Sequence, residues 1–384
     1  MSVWFLLGKL ENGGLEKVQL TLAQLLQKRG FDVRIIAGRV DRQNPPKIPA
    51  GLQVDEISRR STSLFLLRSA LRLMQDRPAA VITAAEDVAC LALLAKVVAR
   101  LRSKVIVAQH GPLHRPVDRA GSSSRWRRSA ARLLLRRLHR HASRRVAVSS
   151  GVATELAAEW RLSQADIDVV ANPVGISSKP DELDRPGLFA SERRHPTVIF
   201  VGRLAQEKRI DLLLDASQIV REGIDLRLNI VGSGPMAAEI QTWIDKHHAE
   251  TWCSMLGSVA DPLPCMREAD LLVLPSDFEG FGNVLVEALS CGTQVVATNC
   301  PHGPPEILQQ GRFGQLVPCG DAEALAHAIG KSLRREFHVP PEVLRARSRD
   351  FAPEIAADAY ERILRSLAIR PRRRPAAVQE AGGP

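Results

Sequence analysis

The sequence predicts an α/β protein with two doubly wound units, each a parallel sheet covered by helices. Three observations carry that prediction. The chain has 384 residues, beyond the roughly 250–300 at which a single hydrophobic core usually stops growing. Short β-rich runs alternate with helical patterns along its whole length, the signature of parallel sheets with crossover helices. The two halves also open alike: VWFLLGKLENGGLEKVQLTLAQLLQKRG (3–30) and VIFVGRLAQEKRIDLLLDASQIVREG (198–223) are each an apolar strand, a Gly followed by a cation and Leu, a polar loop and an amphipathic helix ending in Gly. Both an internal duplication and a generic strand-loop-helix likeness suit so short a match.

The elements follow in order. In the first half strands are expected at Val3–Leu7, Val33–Ala37, Ala79–Thr83, Lys104–Ala108 and Arg145–Ser149. In the second they are expected at Thr197–Val201, Leu226–Val231, Cys253–Leu256, Leu271–Leu274, Gln294–Ala297 and Gly314–Val317. Helices fill most of the intervals. The polar, aperiodic stretch 177–196 reads as a linker between a first domain, 1–176, and a second, 197–352. A helix over 353–370 and a disordered tail, 371–384, complete the chain. Open parallel sheets bind ligands at the carboxyl ends of their strands, so chemistry is sought in the loops that follow strands.

Composition narrows the classes. A chain 45% hydrophobic and 25% charged is neither disordered nor fibrous. The longest uninterrupted apolar stretch, Val88–Ala95, is far short of the roughly 20 residues of a membrane-spanning helix, and the apolar start stops at Gly8 and Lys9. Neither a transmembrane helix nor a secretory signal is expected. Six cysteines without a C-x-x-C pair read as reduced cytosolic thiols. Residues 1–172 hold 29 Lys and Arg against 14 Asp and Glu, whereas the remainder holds 24 against 28, so the net charge of +11 belongs to the first half. Such a surface suits phosphate, anionic lipid or nucleic acid. With a single Tyr among few aromatics, base stacking is poorly supplied, and no nucleic-acid partner is expected.

The strongest motif is LLVLPSDFEGFGNVLVEALSCGTQVVAT (271–298). A buried strand ends at Pro275, a loop carries Asp277, Glu279, Gly280, Phe281 and Gly282, and a helix begins near Gly282 or Asn283. The free amides of that first turn, at Gly282, Asn283 and Val284, favour an anion such as phosphate. Glu287 lies one turn further along the same face. A carboxylate offers paired acceptors, so Glu279 suits sugar hydroxyls and Glu287 a ribose diol. The alternative makes Glu287 a solvated helix residue and Glu279 a partner of the helix dipole.

In FVGRLAQEKRIDLLLDA (200–216), Arg203 and Lys208 stand on the loop after a strand, where two cations can neutralise a departing diphosphate. In NIVGSGP (229–235), Gly232 and Gly234 follow a strand and a helix is expected from Pro235, without the full dinucleotide fingerprint. Gly13 and Gly14 suit either a close approach of backbone to phosphate or a tight turn. His110, in VIVAQHGPL, faces the expected cleft by the carboxyl-end rule, although a lone histidine is often structural. His302, in CPHGPPEIL, is left without a role.

No metal is expected. Asp166 and Asp168 have the D-x-D spacing of a cation site on a nucleotide sugar, but they sit at a strand's start, the wrong end of the sheet. The segment 124–145 holds nine Arg and no acid. Ala131, Leu134, Leu135, Leu138 and Ala142 recur at helical spacing opposite Arg132, Arg136 and Arg140, with Arg137 beside them. This amphipathic helix is expected to touch an anionic membrane surface; packing of its leucines on the domain is compatible with that contact. The Gly/Ser-bearing loop 114–123 before it is expected to be mobile near the cleft.

Taken together, GGLEKVQLTLAQLL, AVSSGVATEL, the Asn-Pro-Val at 172–174, FVGRLAQEKRIDLLLDA, IVGSGP, the 271–298 motif and CPHGPPEIL resemble the family 4 retaining glycosyltransferases of the GT-B fold, over residues 8–330. The resemblance implies two Rossmann-like domains facing a cleft and a nucleotide-sugar donor held mainly by the second. It implies that Glu279 contacts the transferred sugar, Glu287 the ribose, Arg203 and Lys208 the diphosphate, that the Gly14 loop approaches the donor, and that His110 lies near the reacting carbon. It also implies work without a metal or other cofactor, and a C-terminal helix that crosses back to the first domain. The expected acceptor is a lipid-linked saccharide or envelope polysaccharide at the inner face of the cytoplasmic membrane, with no obligate protein partner. A nucleotide-sugar 2-epimerase of the same fold and a non-catalytic basic membrane- or nucleic-acid-binding protein remain as alternatives.

Overall fold

A computed structural model describes residues 2–11, 13–42, 45–57, 62–113, 133, 134, 136–175 and 195–371. The expected linker, apart from its last two residues, lies outside them, as do the loop 114–123, Arg132 and the tail from 372.

Two parallel sheets organise the chain. The first contains β1 (Ser2–Leu10), β2 (Asp32–Val40), β3 (Gln53–Glu56), β4 (Ala80–Thr83), β5 (Lys104–Gln109), β6 (Arg144–Ala147) and β7 (Asp168–Val169), in the order β3-β2-β1-β4-β5-β6-β7. The second contains β8 (Thr197–Val201), β9 (Arg227–Val231), β10 (Cys253–Gly257), β11 (Leu271–Leu274), β12 (Gln294–Thr298) and β13 (Gln315–Val317), in the order β10-β9-β8-β11-β12-β13. The central strands are buried on both faces, every residue of β4, β11 and β12 included. That burial is why they read as continuous apolar runs without alternation.

Amphipathic helices cover these faces. In α1 (Gly14–Lys28), Val18, Leu22 and Leu26 repeat at four-residue spacing and are buried, which lays one stripe on the sheet. The other first-half helices are α2 (Thr62–Asp76), α3 (Glu86–Val98) and α4 (Ser150–Trp160). The second half adds α5 (Ile210–Arg221), α6 (Ala237–Lys246), α7 (Leu263–Glu268), α8 (Asn283–Cys291), α9 (Gly303–Ile307), α10 (Ala322–Leu333) and α11 (Pro341–Ser348). Finally, α12 (Pro353–Ser366) packs Ala356, Ala357, Tyr360, Ile363 and Leu364 into the core of the first sheet. Arg29, which caps the end of α1, holds it there through Asp358 and Glu361, at 2.6 and 3.0 Å.

The topology fixes where ligands go. Strand order reverses between β1 and β4 in one sheet and between β8 and β11 in the other. A crevice opens at such switch points outside the carboxyl ends of the strands. The loops carrying Gly14, Arg203, Lys208, Glu279 and Gly282 all leave these strands.

Three local expectations are corrected. The edge strand β3 was not anticipated, because its residues are exposed or half-buried and two are acidic. The helix expected at Pro235 starts at Ala237, because the turn at Gly234 first directs Met236 N–H to the Leu204 carbonyl. In the basic segment, residues 133, 134 and 136–138 are helical, but the apolar stripe is split. Leu138 is buried and Ala142 packs beside it, whereas Leu134 is 40% exposed. All six cysteines are free. Among the described residues no helix is long and apolar enough to cross a membrane.

Candidate active site

The start of α8 is the focus of the site. Gly282 caps it in the left-handed region, with φ 94°, a conformation that costs glycine little and a β-carbon-bearing residue more. No side-chain cap occupies this end, so the amides of the first turn are left for a ligand. Asn283 and Val284, half-buried, form that turn. Glu287 lies one turn in, and burial raises its carboxyl above the ordinary range, partly offset by Lys17.

Glu279 stands before this turn and is nearly buried. Its Oε1 accepts from Lys208 Nζ at 2.5 Å and from Ser276 Oγ at 2.7 Å. The Ser276 carbonyl in turn accepts from Thr298 Oγ1 at 2.5 Å, tying the loop to β12. A one-turn 3₁₀ helix, Gln206–Lys208, presents the lysine. Arg209 then turns left-handed with φ 49° and pairs with Asp211 and with Asp277 at 3.0 and 3.1 Å. Asp277 N–H also donates to the Glu207 carbonyl at 2.9 Å. The loop after β8 is thereby fastened to the loop after β11, which explains why Lys208 and Glu279 meet.

Arg203 is placed differently. Its side chain is 64% exposed and ion-paired with Glu207. Gly232 and Gly234 stand with their Cα atoms against the backbone of Gly202 and Leu204. Leu204 N–H donates to the Ser233 carbonyl at 2.9 Å, so these glycines shape the loops around Arg203.

The first half closes over this site. Gly14 opens α1 beside the side chain of Asn283, whose Nδ2 lies 3.6 Å from where a β-carbon would stand. His110, at the end of β5, takes the other wall; its Nδ1 lies 3.1 Å from Asn172 Oδ1 and its Nε2 2.9 Å from Gln19 Nε2. Burial pushes the His110 ring down to about 4, against the opposing effect of the Asn172 hydrogen bond, so the ring is neutral at physiological pH. Asn172 Nδ2 donates across the cleft to Asn283 Oδ1 at 2.9 Å, and Ser149 Oγ donates to the Gly280 carbonyl at 3.1 Å. On one flank, His302 pairs with Glu155 at 3.2 Å and Glu306 accepts from Ser150 N–H and Oγ at 2.8 and 2.6 Å.

The structure therefore brings Lys208, Glu279, Gly282, Asn283, Val284, Gly14 and His110 to one cleft. Sequence reasoning gave no role to Gln19, Asn172, Ser276 or Asp277. Asn172 carried a signal, an Asn-Pro directly after a strand; Gln19 carried none, since a polar residue on an amphipathic helix reads as solvated although it is 1% exposed. Arg136, Arg137 and Arg140 are exposed. Asp168 lies in edge strand β7, beside Arg144 at 3.8 Å. Among the described residues no three His, Cys, Asp or Glu side chains gather as metal ligands would.

Two facing Rossmann-like sheets with the polar residues gathered at their switch points define a protein of the GT-B class. The family model "Glycosyltransferase Family 4" matches residues 12–177, and "Glycosyl transferases group 1" matches residues 195–335. The chain belongs to the family 4 glycosyltransferases of the GT-B fold. It is 35% identical over 209 residues to the phosphatidyl-myo-inositol mannosyltransferase of Mycobacterium leprae (strain TN), covering 53% of each chain. It is 30% identical over 213 residues to the lipopolysaccharide 1,6-galactosyltransferase of Salmonella typhimurium (strain LT2), covering 53% of this chain and 56% of that one. The chain spans about half the length of the curated relatives it matches. The crystal structure of Anabaena Alr3699/HepE in complex with UDP-glucose superposes with a TM-score of 0.75 at 18% identity, covering 96% of this chain and 99% of that one, a likeness of fold.

Proposed function

We propose that the protein transfers a hexose or N-acetylhexosamine from a nucleotide diphosphate sugar, first among candidates a UDP-sugar, to a lipid-linked saccharide or envelope polysaccharide. One observation carries this reading: a lysine and a nearly buried glutamate are paired at the uncapped start of a helix, opposite a neutral histidine. An arriving diphosphate competes for Lys208 and takes the free amides of Gly282, Asn283 and Val284. Glu279, released from the lysine, then accepts from hydroxyls of the transferred sugar, and Glu287 accepts from the ribose diol. Arg203 exchanges Glu207 for the diphosphate, the Gly14 loop approaches the same group, and the Gly232–Gly234 loop borders the nucleobase.

The transfer proceeds with retention. The bond from the anomeric carbon to the diphosphate oxygen breaks as the acceptor oxygen bonds to the same face, and the acceptor's proton passes to the departing diphosphate. Lys208 and the helix start stabilise the developing charge, so positive charge comes from the chain and no metal is required. His110, neutral, hydrogen-bonds to the sugar near the reacting carbon.

The relatives named above concern phosphatidyl-myo-inositol and lipopolysaccharide, which supports an acceptor at a membrane or envelope. Exposed Arg136, Arg137 and Arg140, with Arg132 nearby in sequence, support contact with the anionic inner face of the cytoplasmic membrane. Incubation with UDP-, GDP- and ADP-sugars and a lipid-linked acceptor, with NMR of the product, tests the reading. A new glycosidic bond of unchanged anomeric configuration, formed with EDTA present, is expected. An inverted centre would remove the mechanism, and an epimer formed from donor alone would favour the 2-epimerase.

A further inference from the structure

Three side chains form a directional relay around His110. An amide nitrogen only donates and an amide oxygen only accepts. Gln19 Nε2 lies 2.9 Å from His110 Nε2, which requires a lone pair on Nε2. Asn172 Oδ1 lies 3.1 Å from His110 Nδ1, which requires the proton on Nδ1. Both contacts demand the same neutral tautomer. Asn172 cannot reverse its amide without losing a second bond, because its Nδ2 donates to Asn283 Oδ1 at 2.9 Å. Asn172 and Gln19 are 7% and 1% exposed, so water offers little substitute for a lost partner.

The relay spans the cleft. His110 follows β5, Asn172 follows β7, and Asn283 is the first residue of α8 on the opposite sheet. We infer that Asn172 is a positioning residue: its side-chain amide holds His110 as the Nδ1–H tautomer, leaves Nε2 as an acceptor, and ties that state to the turn at Asn283. That lone pair accepts from Gln19, so a sugar hydroxyl that takes the place of Gln19 donates to Nε2 and does not accept from it. Parting of the two halves breaks the Asn172–Asn283 bond, frees the amide to reverse and releases the tautomer, so the ring is set only while the halves meet. The role of His110 at the sugar rests on the function proposed above; the tautomer itself does not.

Nitrogen-15 NMR of the full chain labelled at histidine, without substrate, reads the relay whether or not the transfer activity holds. The His110 signal is expected to show a protonated Nδ1 and an unprotonated Nε2 at neutral pH. Asn172→Ala is expected to give a mixture of tautomers, and Asn172→Asp, whose carboxylate still accepts from Nδ1–H, to restore the single form. A protonated Nε2 in the unaltered protein, or one tautomer kept in Asn172→Ala, overturns the inference. In transfer assays Asn172→Ala is expected to lower kcat roughly tenfold, the scale of one net hydrogen bond, with little change in donor KM. In a His110→Ala background the same change is expected to cost less than about twofold. Multiplying losses in that background would mark an independent structural role and overturn it.

Discussion

Lys208 Nζ and Glu279 Oε1 stand 2.5 Å apart although 71 positions separate them in sequence. The pair is mostly shielded from solvent, with side-chain exposures of 19% and 10%. Removing one partner of such a pair leaves an uncompensated charge, whereas removing both does not. Lys208→Met is therefore expected to lower the Tm of the ligand-free protein, and Lys208→Met with Glu279→Gln to recover part of the loss. Thermal unfolding of the unaltered protein and the two variants checks this; equal Tm values for the single and double variants would show the pair to be loose.

Gly280 packs directly against the first half. A β-carbon there would stand 2.0 Å from the His110 carbonyl oxygen and 2.8 Å from Gly111 Cα. Gly280→Ala is expected to hold the halves apart, seen as a larger radius of gyration by small-angle scattering and weaker donor binding. Gly175→Ala, where a β-carbon meets nothing within 4 Å, serves as the control and is expected to change neither.

What the sequence showed and what it hid divide along physical lines. Strands such as Leu271–Leu274 and the helix from Asn283 announce themselves through apolar runs and glycines, which are local signals. The pairing of Lys208 with Glu279 and the exposure of Leu134 depend on neighbours brought in by the tertiary fold. Gln19 was silent for the same reason, since its partner His110 lies 91 positions away, and the Asn-Pro at 172 did not reveal that Asn172 meets His110, 62 positions distant. A polar side chain buried against a distant loop has no periodicity to betray it.

Acid destabilises the fold through two histidines. Burial holds both His110 and His139 at about 4, and for His139 the neighbouring Arg145, Arg140 and His141 add to the effect. In the unfolded chain each binds a proton near 6.5. Between those values the unfolded state holds more protons, so stability falls as pH drops from about 6.5 towards 4. Tm measured across that range is expected to decline, and less steeply in His139→Asn; a flat profile would contradict the burial of neutral rings.

The arginines of the basic segment make a separable prediction. Each Arg near an anionic membrane contributes about 1 kcal/mol. Changing Arg132, Arg136, Arg137 and Arg140 to Ser is expected to abolish flotation with vesicles of phosphatidylglycerol while sparing donor binding. Unchanged flotation would remove the basis for membrane contact.

Donor recognition by the Lys208–Glu279–Asn283 cleft is tested most directly by calorimetric titration of nucleotide sugars into the protein and into Lys208→Ala. Losing a charge-assisted hydrogen bond costs about 1.5–3 kcal/mol, roughly ten- to a hundredfold in Kd. One of the UDP-, GDP- or ADP-sugars is expected to bind the unaltered protein and to weaken by that factor in the variant. Equal affinity in both, or no binding by any of the three, would contradict the assignment of this cleft to a nucleotide diphosphate sugar.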